Sequence, residues 1–410
     1  APVGRTMPAG TAQCEPDGMT TTRTCRLGLR IASTALATAA LAALAPGAAA
    51  APTTPRGGST GLRAELDALV EQGGSTAALA EVRDHGRAVW RGAAGVRDLT
   101  TGRPARADGR FRIGSVTKVF VSTVTLQLVA EGRLALDDPI EHHLPGVVPG
   151  GEAITVRQLL NHTSGLHDYS DDPRSHPHDD AGERQYLATG RWVAYSPRQL
   201  VAIGTAMPPY SAPGQGFHYS NTNYVVIGML IRQVTGHSWQ AAVKERIIRP
   251  LGLRHTSLPV FSTAVPGPHA HAYLALPEGP ADVTRISPTI ADAAGAGIST
   301  TSDLNRFHAA LFGGRLLAPA QLAEMTTTAD VPGAGRDEYG LGLIHYQLSC
   351  GQAWGHLGDM PGYSTALIGT PDGSRQLTLS TNEYDKSDPE KADRLYQALI
   401  DDALCGKTSG

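Results

Sequence analysis

Lysine is scarce in this chain of 410 residues, which contains 35 basic side chains but only five lysines. The formal net charge is −3, and no dense run of Lys and Arg occurs after residue 56. Nucleic acid is therefore not an expected partner, because its binding requires a basic surface. Hydrophobic residues make up 41% and charged residues 18%, which excludes a disordered chain and is typical of a globular one.

Long apolar runs are also missing. No segment after the first 50 residues approaches the ~18 continuous apolar residues of a membrane span. Those first 50 residues have the pattern of an export leader with an upstream extension: arginines between 23 and 30, an Ala/Leu-rich run over 31–45, and small residues at 48–50. We expect cleavage after Ala50 and secretion. A permanent membrane anchor is the alternative, and the short run without a following charge cluster disfavours it.

Cysteine is rare, with four in the chain. Leader cleavage would remove Cys14 and Cys25 and leave Cys350 and Cys405. Two cysteines in an exported chain predict one disulfide, which stabilises a fold by roughly 2–4 kcal/mol. Neither Cys350 nor Cys405 lies in a Cys-x-x-Cys motif, so we expect neither to bind metal or act as a nucleophile.

Local patterns predict the order of helices and strands. Strand patterns at 76–83 and 87–95 are joined by the turn Asp84-His85-Gly86. The apolar run 120–129 predicts a buried helix, and Thr155 with Gln158 forms a capping box for another. Further predictions are helices at 62–70, at 224–234 ending at Gly236, from Ser238 to before Pro250 and at 391–404, and strands at 339–348, 363–369 and 376–381.

Strands near both ends with helices between them predict an α+β fold. We expect one antiparallel sheet formed from both termini, flanked by helices, with an inserted mainly helical domain. The leader (1–50) and a Pro/Thr/Gly/Ser-rich linker (51–60) would precede a sheet domain made of 61–114 and 285–406. The helical domain would span 115–284, with the active site at the boundary.

The first chemical signal is Ser115-Val116-Thr117-Lys118, the only S-x-x-K in the chain. At a helix start, positions i and i+3 share a face, so the hydroxyl and the amine can meet. A serine needs a neighbouring base to become a nucleophile, and burial can lower the pKa of a lysine enough to supply one. Taken alone, the tetrapeptide also fits a helix-capping serine followed by an exposed lysine.

Two further signals lie far along the chain. Tyr219-Ser220-Asn221 precedes a predicted helix; Tyr219 is a candidate general base, because a nearby cation favours loss of a phenol proton, and Asn221 can offer its amide to a substrate carbonyl. His356-Leu357-Gly358 lies on a predicted strand where Gly358 would permit close approach of a substrate backbone. Each alone also fits a capping turn or a structural histidine.

Together, the three motifs occur in the order found in a known family. The sequence resembles the penicillin-recognising serine hydrolases, namely the secreted D-alanyl-D-alanine carboxypeptidases and their class C β-lactamase relatives, over about residues 60 to 406. The resemblance extends to other segments: Phe111-Arg112-Ile113-Gly114, Leu159-Leu160-Asn161-His162-Thr163-Ser164-Gly165-Leu166, Pro213-Gly214 and Gly340-Leu341-Gly342-Leu343. It implies a β-lactamase/DD-peptidase-like fold.

The resemblance also implies roles. Ser115 would attack a carbonyl and form an acyl-enzyme, while Lys118 and Tyr219 would share the proton transfers. Asn221 would orient the substrate amide, and His356 would supply a donor where many relatives have Lys. The backbone N–H groups of Ser115 and Asp359 would form the oxyanion hole. Donors of this kind are each worth roughly 3–4 kcal/mol.

The chain departs from the carboxypeptidase pattern in its substrate pocket. Secreted carboxypeptidases read H-T-G-T, and their threonines help to hold the free carboxylate of the substrate. Here Leu357 cannot donate that hydrogen bond, and Asp359 would repel a carboxylate. The position after Gly-Leu-Gly-Leu, which is Arg in those enzymes, is Ile344. Leu357, Gly358, Asp359 and Ile344 are thus the candidate substrate-binding residues of an altered pocket.

Other motifs are weaker. Residues 57–61 match G-x-S-x-G, but they lie in a linker without the strand and helix that a nucleophile elbow needs. His176, His178, Asp179 and Asp180 lack metal-ligand spacing and favour a solvated loop. We therefore expect no metal and no cofactor.

The leading hypothesis is a carboxypeptidase-like serine hydrolase acting on peptidoglycan stem peptides or other D-amino-acid acyl compounds. One alternative keeps the chemistry but changes the substrate: a D-stereospecific amidohydrolase, aminopeptidase or esterase in which Asp359 pairs with an ammonium, or a β-lactamase. The other alternative is a non-catalytic penicillin- or peptidoglycan-binding protein. The expected partner is a small peptide or acyl substrate, with β-lactams as candidates, and the expected state is a monomer.

Overall fold

The computed structural model describes residues 58–172, 179–329 and 338–406. The predicted leader and most of the predicted linker lie outside these residues. Within the described ranges, the strands are β1 (Ser75–Asp84), β2 (Arg87–Asp98), β3 (Arg103–Pro104), β4 (Phe111–Arg112), β5 (Tyr273–Leu276), β6 (Gly279–Asp282), β7 (Ile298–Ser299), β8 (Ile344–Leu348), β9 (Gly351–Met360), β10 (Tyr363–Gly369) and β11 (Arg375–Glu383).

Helices fill most of the middle of the chain. They are α1 (Ser59–Glu71), α2 (Thr117–Ala130), α3 (Ile140–His143), α4 (Val156–Leu160), α5 (Asp180–Ala188), α6 (Pro197–Thr205), α7 (Asn221–Thr235), α8 (Trp239–Val243), α9 (Arg249–Leu251), α10 (Asp292–Gly295), α11 (Thr301–Phe312), α12 (Pro319–Met325) and α13 (Pro389–Cys405). None of the helices in the described ranges is both long and apolar enough to cross a membrane.

The main sheet has seven strands in the order β3-β2-β1-β11-β10-β9-β8. Its N-terminal and C-terminal strands meet where β1 pairs antiparallel with β11, for example Ala80 opposite Leu379. The prediction of an antiparallel sheet formed from both termini is therefore confirmed. Strand β8 pairs with β9 only as far as Gly355, so β9 continues beyond β8 toward the end that carries His356.

Apolar side chains cover both faces of the sheet. Alternation along a strand sends neighbouring side chains to opposite faces: in β9, Ala353 joins a cluster with α1 and α13, whereas Trp354 joins a larger one with α2, α7 and α11. The larger cluster contains residues from both predicted domains. The helical insertion therefore shares one core with the sheet.

Several elements follow directly from local sequence. The turn at Asp84-His85-Gly86 joins β1 to β2, with positive φ at His85 and Gly86. Thr155 and Gln158 form the predicted capping box of α4. Gly236, at φ 77°, ends α7, because a residue without Cβ adopts this left-handed conformation readily.

Three predicted boundaries were wrong. Helix α1 begins at Ser59, inside the predicted linker. The helix after Ser238 continues through Pro250, because the π-helical segment Lys244–Ile248 leads into α9. Pro250 lies in the first turn of α9, where a proline without an N–H is tolerated. Strand β8 begins only at Ile344, since Gly342 adopts φ 85° in a turn closed by the Gly340 N–H and the Leu343 carbonyl.

The predicted disulfide is present. Cys350 lies in the turn between β8 and β9, and Cys405 is the last residue of α13. Their Cα atoms are 5.4 Å apart, within the range that a disulfide spans. The bond attaches the C-terminal helix to the hairpin that carries β9.

Candidate active site

Ser115 lies in the turn Gly114–Val116, between β4 and α2. Gly114 has φ 48°, and a Cβ there would come within 2.5 Å of the Asp359 nitrogen in β9. A Cβ at Gly358 would likewise lie 2.8 Å from the Ser115 nitrogen. Two glycines thus allow the start of α2 to press against β9, so that the backbone at Ser115 and the backbone at Asp359 lie close together. This proximity is what an oxyanion hole built from the Ser115 and Asp359 N–H groups needs, and that hole stays a prediction.

Lys118 lies one helical turn after Ser115 and is fully buried. Its Nζ donates to Ser115 Oγ at 2.8 Å, to Asn221 Oδ1 at 2.7 Å and to the Ala294 carbonyl at 2.8 Å. Burial lowers the pKa of Lys118 to about 7, against the charges of Asp168 and Asp359, which favour the protonated form. The side chain can therefore accept a proton near neutral pH.

Tyr219 lies two residues before α7, and its Oη donates to Ser115 Oγ at 2.8 Å. Its ring stacks on His162, with ring centroids 4.2 Å apart. Burial raises the pKa of Tyr219 well above its usual value. The expectation that the neighbouring ammonium makes this phenol easier to ionise is therefore wrong for the resting site, because burial dominates and the charges of Asp168 and Asp359 act in the same direction.

Asn221 is the first residue of α7 and bridges two charged groups. Its Oδ1 accepts from Lys118, and its Nδ2 donates to Asp168 Oδ2 at 2.9 Å, with Ser170 Oγ at 3.4 Å. The Nδ2 group carries two N–H donors, and its second contact, with Ser170 Oγ, is long. That Asn221 orients the amide of a substrate therefore stays a prediction.

His356 lies on β9, on the same side of the strand as Gly358, and is buried. Its Nδ1 donates to the Leu357 carbonyl, so Nε2 accepts from Tyr339 Oη at 2.8 Å. Burial lowers the pKa of His356 to about 3, and the charge of Lys118 acts in the same direction. The neutral ring has both nitrogens occupied, so the donor role expected from its lysine-bearing relatives is not available in this arrangement.

Of the altered pocket residues, Gly358 faces Ser115, whereas Leu357 and Asp359 alternate with it along β9 and lie on the other face. Ile344 lies on the neighbouring strand β8. Leu357 and Ile344 pack against the cluster with α1 and α13, so their side chains point away from Ser115. Asp359 keeps an exposed surface. Desolvation of its carboxylate and, after that, the negative charge of Glu383 raise the pKa of Asp359 to about 6. Its charge still reaches the site, because it acts on both Lys118 and Tyr219.

Sequence reasoning missed three residues of the site: Asp168, His162 and Tyr339. His162 and Asp168 lie in or just after the segment Leu159–Leu166, so their proximity to a family signature was an available signal. His162 accepts from the Ser220 N–H at 3.1 Å, and burial lowers its pKa well below its usual value. Tyr339 precedes Gly340-Leu341-Gly342-Leu343, but nothing in the sequence connects it with His356.

Within the described ranges, one group of side chains has the composition of a metal site. Asp138, His142 and His143 have ligand atoms within 4.8 Å of one another. Asp138 Oδ2 already accepts from the Ala135 N–H and lies 2.9 Å from His143 Nε2, so hydrogen bonding at the start of α3 accounts for this group. Of the weaker sequence motif, Asp179 caps α5, while His176 and His178 lie outside the described residues.

Ser115 Oγ thus receives hydrogen bonds from a lysine that can lose its proton near pH 7 and from a protonated phenol. The backbone of Asp359 lies close to the turn that carries Ser115. A nucleophile, a base, an acid and a place for an oxyanion are the parts that acyl transfer requires.

Comparison with known proteins agrees with this chemistry. The Beta-lactamase family model matches residues 62–402. The esterase EstB of Burkholderia gladioli is 30% identical over 342 residues, covering 76% of this chain and 81% of the esterase. Penicillin-binding protein 4* of Bacillus subtilis is 26% identical, covering 73% of this chain and 66% of that protein.

A solved structure is also similar. The D-stereospecific amidohydrolase from Streptomyces sp. superposes with a TM-score of 0.75 at 41% identity, covering 85% of this chain and 99% of the amidohydrolase. The family match spans most of the chain and includes every element that builds the site. The chain therefore belongs to the Beta-lactamase family of penicillin-recognising serine hydrolases.

Proposed function

We propose that this protein hydrolyses amide bonds next to D-amino acids through an acyl-enzyme on Ser115. The observation that carries the proposal is the pair of 2.8 Å hydrogen bonds that Ser115 Oγ receives from Lys118 and Tyr219. The similarity to a D-stereospecific amidohydrolase supports the substrate class.

The acylation step uses groups already in contact. Neutral Lys118 takes the proton of Ser115 Oγ while the oxygen forms a bond to the substrate carbonyl carbon. The resulting oxyanion receives hydrogen bonds from the N–H groups of Ser115 and Asp359. The amide C–N bond then breaks as Tyr219 donates its proton to the leaving nitrogen, and Lys118 returns a proton to Tyr219.

Deacylation reverses these proton transfers. Water attacks the ester of Ser115 while a neutral base in the Lys118–Tyr219 pair takes its proton. The C–O bond to Ser115 breaks, and the serine oxygen regains a proton. The products are a carboxylic acid and an amine, and the enzyme returns to its starting state.

Charge near the pocket, reaching it from the other face of β9, favours a substrate without a terminal carboxylate. Asp359 acts on Lys118 and Tyr219 from the end of β9 and would repel a second anion there. Leu357 and Ile344 face the opposite cluster and supply no compensating donor. An ammonium group, or a neutral amide or ester, avoids this repulsion.

A second candidate is a D-alanyl-D-alanine carboxypeptidase, and a specific observation favours it: the similarity to penicillin-binding protein 4*. The esterase relative makes acyl esters further candidates. A role limited to non-covalent binding would leave the lowered pKa of Lys118 and its contact with Ser115 without a use.

A hydrolysis panel tests these candidates. D-amino-acid amides, a D-Ala-D-Ala peptide, a p-nitrophenyl ester and a chromogenic cephalosporin would be compared, with Ser115→Ala as the control. We expect the D-amino-acid amide to give the highest kcat/KM among the amide substrates. A higher kcat/KM for the D-Ala-D-Ala peptide would establish the carboxypeptidase instead.

Export belongs to the same proposal. The disulfide between Cys350 and Cys405 supports an oxidising compartment. N-terminal sequencing of the mature protein would test cleavage after Ala50, and a retained leader would contradict it.

A further inference from the structure

Asp168 is a buried carboxylate that the proposed mechanism does not use. It is 4% exposed and lies just before the short turn Tyr169–Asp171. Its Oδ1 accepts the Ser170 N–H at 2.9 Å, and its Oδ2 accepts Asn221 Nδ2 at 2.9 Å. A carboxylate this deeply buried requires hydrogen bonds of this kind. One of its two partners also contacts Lys118.

The amide of Asn221 has only one workable orientation between these neighbours. Lys118 presents donors and has no acceptor when protonated, whereas the Asp168 carboxylate presents acceptors only. Asn221 must therefore direct Oδ1 to Lys118, at 2.7 Å, and Nδ2 to Asp168. A rotation of the amide by 180° would place two donors together at one end and two acceptors at the other.

That orientation determines where the lone pair of neutral Lys118 points. Nζ has three neighbours, and two of them, Asn221 Oδ1 and the Ala294 carbonyl, can only accept. A neutral amine has two N–H groups and one lone pair. If both N–H groups bind these acceptors, the lone pair faces the third neighbour, Ser115 Oγ, at 2.8 Å.

We propose that Asp168 is a positioning residue that acts through the Asn221 amide to aim the base of Lys118 at Ser115. The proposal rests on the proposed function, in which Lys118 takes the serine proton. Asp168 touches neither Ser115 nor the reacting atoms in this account. Its effect is the orientation of one amide and the electrostatic field at one amine.

The electrostatic part has a definite sign. The titratable and charged groups that face Lys118 are Asp168, Asp359, His162, His356, Tyr219 and Tyr224. Both histidines are neutral, because burial lowers their pKa values, and burial keeps the two phenols protonated. Asp168 and Asp359 therefore supply the negative charge, and Asp168 is the first of the two in its effect on Lys118.

The variant Asp168→Asn separates this role from a structural one. It leaves one acceptor atom for two donors, the Ser170 N–H and Asn221 Nδ2, so the Asn221 orientation loses its constraint. We expect kcat to fall about 10- to 100-fold, with a smaller change in KM, because a misdirected base slows the chemical step. Removal of the negative charge should also lower the pKa of Lys118 and move the acidic limb of kcat/KM to lower pH.

Matched variants and substrates complete the test. Ser170→Ala removes the hydroxyl contacts with Asn221 and Asp168 but keeps the Ser170 N–H and the Asp168 charge, so the acidic limb should stay in place. Asp168→Glu keeps the charge, so its limb should also stay near the original pH even where kcat falls. Both a D-amino-acid amide and p-nitrophenyl acetate should be used as substrates. The acetate ester carries no ammonium group, so it separates an effect on Lys118 from an effect on substrate binding.

Three results would overturn the proposal. A lower kcat in Asp168→Asn with an unmoved acidic limb would mean a purely structural role. A loss confined to amine-bearing substrates would mean that Asp168 binds the substrate ammonium instead. Should Asp168→Asn fail to fold, a shifted limb in Asp168→Glu would contradict the proposal. A failure of the proposed function would be recognised separately, because Ser115→Ala would then still hydrolyse substrate or form an acyl-enzyme on another residue.

Discussion

Two buried cations lie six residues apart on either side of the Ser115 turn, and they behave differently. Arg112 in β4 is 1% exposed and donates to the main-chain carbonyls of Thr263, at 2.7 Å, and Thr284, at 3.1 Å, with Ile286 at 3.4 Å. Lys118 in α2 is equally buried but has a serine hydroxyl among its acceptors. Burial lowers the pKa of both.

The difference lies in how far that lowering can go. The pKa of a guanidinium in water is so high that the group stays charged in a protein. Arg112 therefore serves as a permanent donor that holds the loops at 263 and 284–286 against β4. The pKa of a lysine amine in water is lower, and burial brings the pKa of Lys118 to about 7. A buried cation takes part in chemistry when desolvation carries its pKa into the working range, and otherwise holds structure.

The largest effect is expected from removing the Ser115 hydroxyl, which contacts Lys118 but not Arg112. Ser115→Ala should lower kcat by at least about 10³-fold while the thermal unfolding midpoint changes little, because only the attacking oxygen is lost. Steady-state kinetics and labelling with a fluorophosphonate would measure this. Residual turnover above a small fraction would contradict the assignment of the nucleophile.

Exchange of the two cation types should give opposite results. Lys118→Arg keeps the charge but removes the ability to lose a proton, so kcat should fall at least about 100-fold. Arg112→Lys should instead lower the free energy of unfolding by about 3 kcal/mol, since one ammonium cannot satisfy the same spread of carbonyls.

The measurements for this pair are denaturant unfolding and pH-rate profiles. Arg112→Lys should leave the acidic limb of kcat/KM unmoved. A shifted limb in Arg112→Lys, or full activity in Lys118→Arg, would break the distinction between a structural and a chemical cation.

The next effect in size is the fall of kcat/KM at acidic pH. Only neutral Lys118 accepts the serine proton, so kcat/KM should fall about tenfold per pH unit below the pKa of about 7. The sign follows from protonation: acid populates the ammonium, which has no lone pair. A rate that instead rises as pH falls from 7 to 5 would exclude Lys118 as the base.

The smallest expected effect concerns Asp359. An amide should exceed its free-acid counterpart in kcat/KM by about tenfold, because the Asp359 charge opposes a carboxylate in the cleft. Asp359→Thr should narrow this ratio to a few-fold. The unmodified enzyme should also discriminate less at pH 5, below the Asp359 pKa of about 6. A preference for the free acid would show that an unidentified basic group receives the carboxylate.

Sequence analysis predicted the sheet, helix α2 and the meeting of Ser115, Lys118 and Tyr219, because local periodicity and a known motif order carry that information. It missed Asp168, His162 and Tyr339 as parts of the site, since their contacts join distant segments. For Asp168 and His162 the one signal was their proximity to a family signature. It also assigned Tyr219 an easier ionisation and His356 a free donor. Both errors have one cause: burial and partner geometry decide protonation, and neither can be read from spacing along a chain.

The disulfide has a consequence for proteolysis. Cys350 and Cys405 enclose a covalent ring that contains β9, β10, β11 and α13. A single cut in the turn Asp372-Gly373, between β10 and β11, would leave the two fragments joined through sulfur. Strand β11 would also remain paired with β1 and β10. The nicked protein would keep its full mass on a non-reducing gel and separate into two fragments only after reduction.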